Sequence, residues 1–300
     1  VSVLNILDGH TSGTINAASI NTLTGAAADL NTAYTSGGIS NLGNEAVTLS
    51  DTSLAVSVLN ALDGRTSGAI DASSINTLSG AAADLNTAYT SGGISNLGNE
   101  AVTLSDTSLA VSVLNALDGR TSGAIDASSI NTLSGAAADL NTAYTSGGIS
   151  NLGNEAVTLS DTSLAVSVLN ALDAHTSGAI NASSINTLSG SYADLTTAFT
   201  ANSNGSISGL GNEAVSITEV VSTSQANTLA AATAGVVTAT ISDGDMATLA
   251  GLTETGNAYS IAISDTSVAV TALNTLDGKT TVAINASSIS TLTGSAADLN

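Results

Sequence analysis

The sequence predicts an elongated, right-handed α/β solenoid in which short parallel strands stack and alternate with short helices. Three observations carry this. A unit of 55 residues repeats along the chain. Within each unit, stretches with an apolar period of two alternate with stretches spaced by three and four. The composition suits a narrow coil: no Pro, Cys or Trp, one Phe and five Tyr, against a hydrophobic fraction of 43%. A coil of little width is filled by Ala, Val, Leu and Ile, and Pro would break the backbone ladder between coils. A unit this small cannot bury its apolar faces alone, so neighbours must stack.

The segment 56–110 recurs at 111–165 without a change, and 1–55 is the same unit with six substitutions, among them Ile6 for Ala61 and His10 for Arg65. A fourth copy, 166–223, carries three extra residues around Ala201–Asn204. A fifth, 224–269, is short and diverged, and 270–300 is a partial sixth. The chain enters at Val1 and leaves at Asn300 in mid-unit with no polar capping unit, which a stacked array needs to end. The expectation is a window on a longer array.

The elements follow in order through 101–155. Ala101-Val102-Thr103-Leu104-Ser105 alternates and reads as a strand. Asp106-Thr107-Ser108 offers N-cap oxygens to a helix whose stripe is Leu109, Val113, Leu114 and Leu117. Asp118-Gly119 ends that helix, with a left-handed glycine expected at its C-cap. Ile125 centres a second strand. Ser128-Ser129 can cap a further helical stretch with Ile130, Leu133, Ala137, Leu140 and Tyr144 on one face, and Gly135 divides it. Ser146-Gly147-Gly148 is a stop. The following GGISNLGNE segment, missing from the fifth copy, reads as an excursion to one side of the stack. Two coils per unit are expected, with equivalent strands paired in parallel. A pure β-solenoid is the alternative, its helical stripes becoming strands. Separate β-sandwich domains do not fit, because the unit is too short.

Composition also bounds function. There are 24 acidic residues and three basic ones, a net charge of −21. Arg65, Arg120 and Lys279 are too few and scattered to neutralise phosphates, which argues against nucleic acid. Without Cys there is neither a disulfide scaffold nor a zinc-thiolate site. No apolar run approaches the roughly 20 residues of a membrane span.

One column of acids stands out. Asp51, Asp106, Asp161, Glu219 and Asp265 occupy one position in successive units. They read as helix N-caps, held by free N–H groups and the helix dipole. The functional alternative is a column of weak Ca²⁺ sites. One carboxylate per coil is poor for an ion that takes six to eight oxygens, and neither the calcium nonapeptide nor an EF-hand loop occurs. Glu100, Glu155 and Glu213, beside Asn99, Asn154 and Asn212, read as a solvated loop, with oxygen ligation the alternative.

Asp63-Gly64, Asp118-Gly119 and Asp277-Gly278 read as turns. His10 and His175 stand where other copies place Arg65, Arg120 or Lys279, which marks a variable surface position. No GxSxG elbow or His–carboxylate pair activates a serine, and Gly92-Gly93 lacks the ending of a phosphate loop. Asp243, Asp245 and Glu254, in the one break of the repeat, are the nearest approach to an acid cluster, without a base beside them. Thr66, Thr77, Thr103 and Thr107 fall on different elements, unlike the flat threonine array of an ice binder.

The segments LGNEAVTLSDTSLAVSVLNALDG and TSGAIDASSINTLSGAAADLNTAYTSGGI resemble the long repeat arrays of giant secreted surface proteins of Gram-negative bacteria, above all marine cyanobacteria. The resemblance implies export by a type I-like pathway, an extracellular or cell-surface location and a structural or adhesive role. It brings no functional residues. The expected function is an extracellular structural repeat forming a stalk, fibre or surface layer. An adhesin that binds glycans or surfaces through the repeated loop is the alternative, and an enzyme or ice-binding protein is less favoured. Expected partners are neighbouring repeats, laterally associated chains, and the cell envelope or surface glycans. No cofactor is expected beyond the Ca²⁺ alternative.

Overall fold

The computed structural model describes residues 1–295, 297 and 298. The end of the partial sixth copy, at Ala296, Leu299 and Asn300, lies outside the described residues. The chain folds as an α/β solenoid-like repeat of short parallel strands and short helices. It divides into two contact units, 1–134 with 142–155, and 135–141 with 156–300.

In the first unit, helices of eight or nine residues recur twice per repeat: Ala27–Thr35, Val56–Asp63, Ala82–Thr90 and Val111–Asp118. Their inward faces are short. Val111, Leu114 and Leu117 are buried on one helix and Ala82, Leu85 and Ala88 on another. These stripes at three-residue spacing are the apolar faces that the periodicity predicts.

The five-stranded sheet of this unit runs Ser53–Ala55, Thr77–Gly80, Ala101–Leu104, Ile125–Asp126, Ile149–Ser150, every pair parallel. Its inward column is Leu54, Leu78, Val102, Ile125 and Ile149, stepping by 24, 24, 23 and 24 residues. A second sheet runs Thr22–Gly25, Ala46–Leu49, Ile70–Asp71, Ile94–Ser95. The strands that pair are therefore not equivalent ones, as the repeat alone led us to expect. Two pairing steps cover about 48 residues, while two helices recur every 55. Each sheet consequently slides against the helix column. Ser53–Ala55 abuts the helix that follows it, whereas Ile149–Ser150 lies just behind the helix Ala137–Thr145. A further step of 24 from Ile149 would fall on Asp173, at the end of helix Val166–Asp173, so the sheet stops at five strands.

Four local expectations are corrected. Thr132–Gly135 is a strand and not a helical turn, and only Ala137–Thr145 is helix. Leu109 belongs to the strand Ser108–Ala110, with the helix starting at Val111. The glycine after the first helix is not left-handed, with φ −72° at Gly119. The positive φ lies at strand ends such as Gly80, φ 146°, where an added Cβ would overlap Val56 Cγ1. The GGISNLGNE segment is no excursion either. It supplies Ile94–Ser95 to one sheet and leads directly into Ala101–Leu104 of the other.

In the second unit the sheet runs Ser163–Ala165, Thr187–Gly190, Ala214–Val221, Val237–Ile241, Ala258–Ser260. Its helices are Val166–Asp173, Tyr192–Asn204, Thr223–Ala230, the single turn Met246–Leu249 and Val270–Asp277. The second of these, which contains the three inserted residues, has 13 residues against nine in Ala137–Thr145.

Helices in successive coils are tied by asparagine. Asn5 Nδ2 donates to Asp29 O, Asn31 to Val58 O, Asn60 to Asp84 O and Asn86 to Val113 O, all at 2.9–3.1 Å. In the second unit Asn141 reaches Val168 O and Asn170 reaches Asp194 O, each at 3.0 Å. One amide per coil thus bridges to the spare lone pair of a helix carbonyl. Replacing Asn86 by Ala should cost about 1 kcal/mol, the net worth of such a bond. The loss should appear as faster native-state hydrogen exchange in helices Ala82–Thr90 and Val111–Asp118, with no change for Thr87→Ala on the exposed face.

Candidate functional site

The acid column is placed by the coil-to-coil geometry. Asp51 Oδ2 accepts from Ala27 N, Asp106 Oδ2 from Ala82 N and Asp161 Oδ2 from Ala137 N, each at 2.8 Å. Glu219 Oε1 accepts from Tyr192 N at 2.9 Å and Asp265 Oδ2 from Met246 N at 2.6 Å. In every case the recipient is the first residue of a helix 19 to 27 positions earlier in the chain. The helix that follows each aspartate, such as Val111–Asp118 with Ala110 at its N-cap, has no side-chain cap. The local N-cap reading is thus replaced by capping across the coil boundary. Helix Ala82–Thr90 has Ala81 at its own N-cap and needs the acceptor from outside. Ser74 Oγ then donates to Asp51 O, and Ser129 Oγ to Asp106 O, both at 2.9 Å, so each acid loop joins coils on both sides.

This use leaves little for a metal. One carboxylate stands at each level, with an oxygen committed to a helix N–H. Among the described residues no three His, Cys, Asp or Glu side chains converge as metal ligands.

The second recurring site is one that sequence reasoning misplaced. Glu45, Glu100 and Glu155 are 0% exposed and Glu213 is 2% exposed, against the expectation of a solvated loop. Charge is buried at high cost unless hydrogen bonds replace water. Here Glu100 Oε2 accepts from Gly98 N at 2.8 Å, Asn99 N at 3.2 Å and the Tyr89 hydroxyl at 3.1 Å. Glu45 repeats this with Gly43, Asn44 and Tyr34. Asn96, at φ 64°, and Gly98, at φ 132°, turn the chain so that two successive N–H groups face the carboxylate. The Asn side chains expected as oxygen ligands are not used in this contact. The next coil closes over it: Thr121 Oγ1 donates to Glu100 O at 3.0 Å, and an added Cβ on Gly123 would overlap that carbonyl. Oε1 of Glu45 and of Glu100 is buried without a hydrogen-bond partner. In the fourth copy Phe199 replaces the tyrosine, and both Glu213 oxygens turn to Gly211 N, at 2.9 Å.

The remaining candidates are also tied into the stack. The Asp-Gly turns do more than turn: Asp63 Oδ2 accepts from Ser91 Oγ and Asp118 Oδ2 from Ser146 Oγ, each at 2.7 Å. Asp243 Oδ2 accepts from Thr223 N at 2.7 Å, and Asp245 Oδ1 from Thr248 N at 2.9 Å. The bond from Thr248 holds the exposed Asp245 carboxyl below the usual carboxylate range. Asp243 and Asp245 are thus both occupied at helix N-termini, and Glu254 is exposed. His10 and His175 are exposed, and Lys279 Nζ donates to Thr253 O. Thr66 is buried, while Thr77 and Thr103 face outward. Thr103 sits opposite Ser79, and Thr77 opposite Ala101, so the outward columns are mixed.

Comparison with protein families, with characterised proteins and with solved structures finds no match to this chain. Among the described residues no helix is long and apolar enough to cross a membrane. The recurring polar chemistry is therefore read from this chain alone, and it points inward, from coil to coil.

Tyr34 and Tyr259 illustrate the consequence for pH. Burial, reinforced by the Glu45 carboxylate, pushes the Tyr34 hydroxyl up to about 12; burial and the Glu254 charge do the same for Tyr259. Burial first, then Glu100, raises Tyr89 as well. A folded pKa above the unfolded value, about 10, contributes stability that is complete below pH 10 and is lost as pH rises towards 12. Tyrosinate absorbance from these side chains should therefore appear together with loss of far-UV dichroism between pH 10 and 12. Tyr34→Phe should fold, as Phe199 does in its place, and should remove part of that step. Reversible ionisation near pH 10 in a folded chain would contradict the assignment.

Proposed function

We propose that this chain is a structural segment of an extracellular or cell-surface repeat array, a stalk, fibre or surface layer whose useful variable is length. The observation that carries this reading is where the repeated side chains are spent. Asn86, Asp106, Tyr89, Glu100, Thr121 and Ser129 each make a hydrogen bond that joins elements of the stack. Their counterparts recur copy after copy. A ligand-binding or catalytic repeat would carry side chains turned away from the stack and held at fixed geometry; these are consumed in holding it.

The identity of 56–110 and 111–165 supports the same view. Copies that differ in nothing add distance and no new specificity. With 24 acids against three bases, and only four of the acids buried among the described residues, the surface charge keeps such an array soluble and apart from other anionic surfaces. The resemblance to giant bacterial surface arrays supplies the location in this reading.

The test is to insert two or four extra copies of 56–110 into the chain and measure solution scattering. Each copy brings two coils, so length should grow by about 10 Å per copy at roughly 4.8 Å per coil, with an unchanged cross-section. A radius of gyration that grows as that of a compact body would sink the proposal.

A further inference from the structure

The helix Tyr192–Asn204 and the next helix, Thr223–Ala230, meet differently from the asparagine-bridged pairs. Thr196 stands where Asn141 stands in the copy before. Its hydroxyl turns back on its own helix, donating to Tyr192 O and Ala193 O. The asparagine bond to the following helix, by position to the carbonyl of Gln225, therefore has no counterpart at Thr196. The ladder resumes one coil later, where Asn227 Nδ2 donates to Gly251 O at 2.7 Å.

Two further changes fall on the same interface. Phe199 replaces the tyrosine that elsewhere grips the buried glutamate. A groove opens between the helices, lined by Thr196, Phe199, Thr200, Ser203, Thr228 and Leu229.

Both helices also carry a local side-chain cap, beside the acids Glu219 and Asp243 that accept from Tyr192 N and Thr223 N. Ser191 Oγ accepts from Asp194 N, and Ser222 forms a capping box with Gln225. Helices Ala82–Thr90 and Val111–Asp118 of the identical copies have Ala at that position and no side-chain cap there. The strand between the two helices is the longest of its sheet. Ala214–Val221, at eight residues, pairs with Thr187–Gly190 on one side and Val237–Ile241 on the other, with a register shift between Ser216 and Val220.

We propose that this interface is a joint: the helices Tyr192–Asn204 and Thr223–Ala230 separate and close again while the sheet stays paired and acts as the hinge. The loss of one helix-to-helix bond and an open groove both lower the cost of parting the helices. The strand pairing on both sides of the register shift keeps the coils together while the helices part. The joint lies where the repeat diverges, beyond the identical copies 56–110 and 111–165.

The absence of cysteine makes a distance measurement clean. Spin labels at Thr197→Cys and Ser224→Cys, both exposed, span the joint. The equivalent exposed pair Thr87→Cys and Ser112→Cys spans an asparagine-bridged interface. The joint should give a distance distribution roughly twofold broader than the control, or two distances. Adding Thr196→Asn and Phe199→Tyr should narrow it to the control width. A joint as narrow as the control would overturn the proposal. So would a broad distribution that the two restoring substitutions leave unchanged.

Discussion

What a coil lacks is supplied by the coil beside it, and most of this structure follows from that constraint. A coil of two or three very short strands and one short helix leaves backbone groups open on both sides, and a buried open group costs about 1–3 kcal/mol. Parallel strand pairing answers for the sheet. The helices are answered by side chains: an aspartate oxygen for the first N–H of Ala82–Thr90, and an asparagine amide for a carbonyl of Val111–Asp118. The same residue types recur because the same vacancies do.

The slide of sheet against helix column gives this its particular form. Strands pair about 24 residues apart while helices recur twice in 55. A sheet that starts beside one helix therefore drifts until it meets another, and a further sheet starts at Ser108–Ala110, the strand that follows Ala101–Leu104 in the chain. Non-equivalent strands can pair because their inward residues are interchangeable in size: Leu78, Val102 and Ile125 serve in turn. The glutamate sits beside the strand Ala101–Leu104, held by Gly98, Asn99 and Tyr89 and closed over by the Thr121-Ser122-Gly123 turn. Its burial is tolerable because the donors are fixed by the local turn and not borrowed from solvent.

Much of the fold was legible in the residues. The alternation at Ala101–Leu104 and the stripe Leu114, Leu117 carry their own periods, so strand and helix were readable there. Thr132–Gly135 was not, because Ile130, Leu133 and Ala137 fall at three- and four-residue intervals across a strand and a corner. Spacing alone cannot tell that from a helix. The acid column was visible, but its recipients were not, since Ala82 lies 24 residues from Asp106 and nothing local marks it. Glu100 was misread because a carboxylate in a Gly-Asn loop is ordinarily solvated. The signal that could have placed it is the tyrosine 11 residues earlier in three successive copies. The fourth copy, with Phe199, shows that the peptide N–H groups suffice to hold the acid.

The pairing step is the claim on which the rest depends, and disulfide trapping addresses it directly. Ser79 and Thr103 are register partners on the outward face of adjacent strands. In a chain without native cysteine, Ser79→Cys with Thr103→Cys should form a disulfide on mild oxidation, as parallel neighbours about 4.8 Å apart can. Ser79→Cys with Ser134→Cys, one full repeat apart, should stay reduced. Cross-linking of the second pair in preference to the first would mean that equivalent strands stack, and would contradict the account.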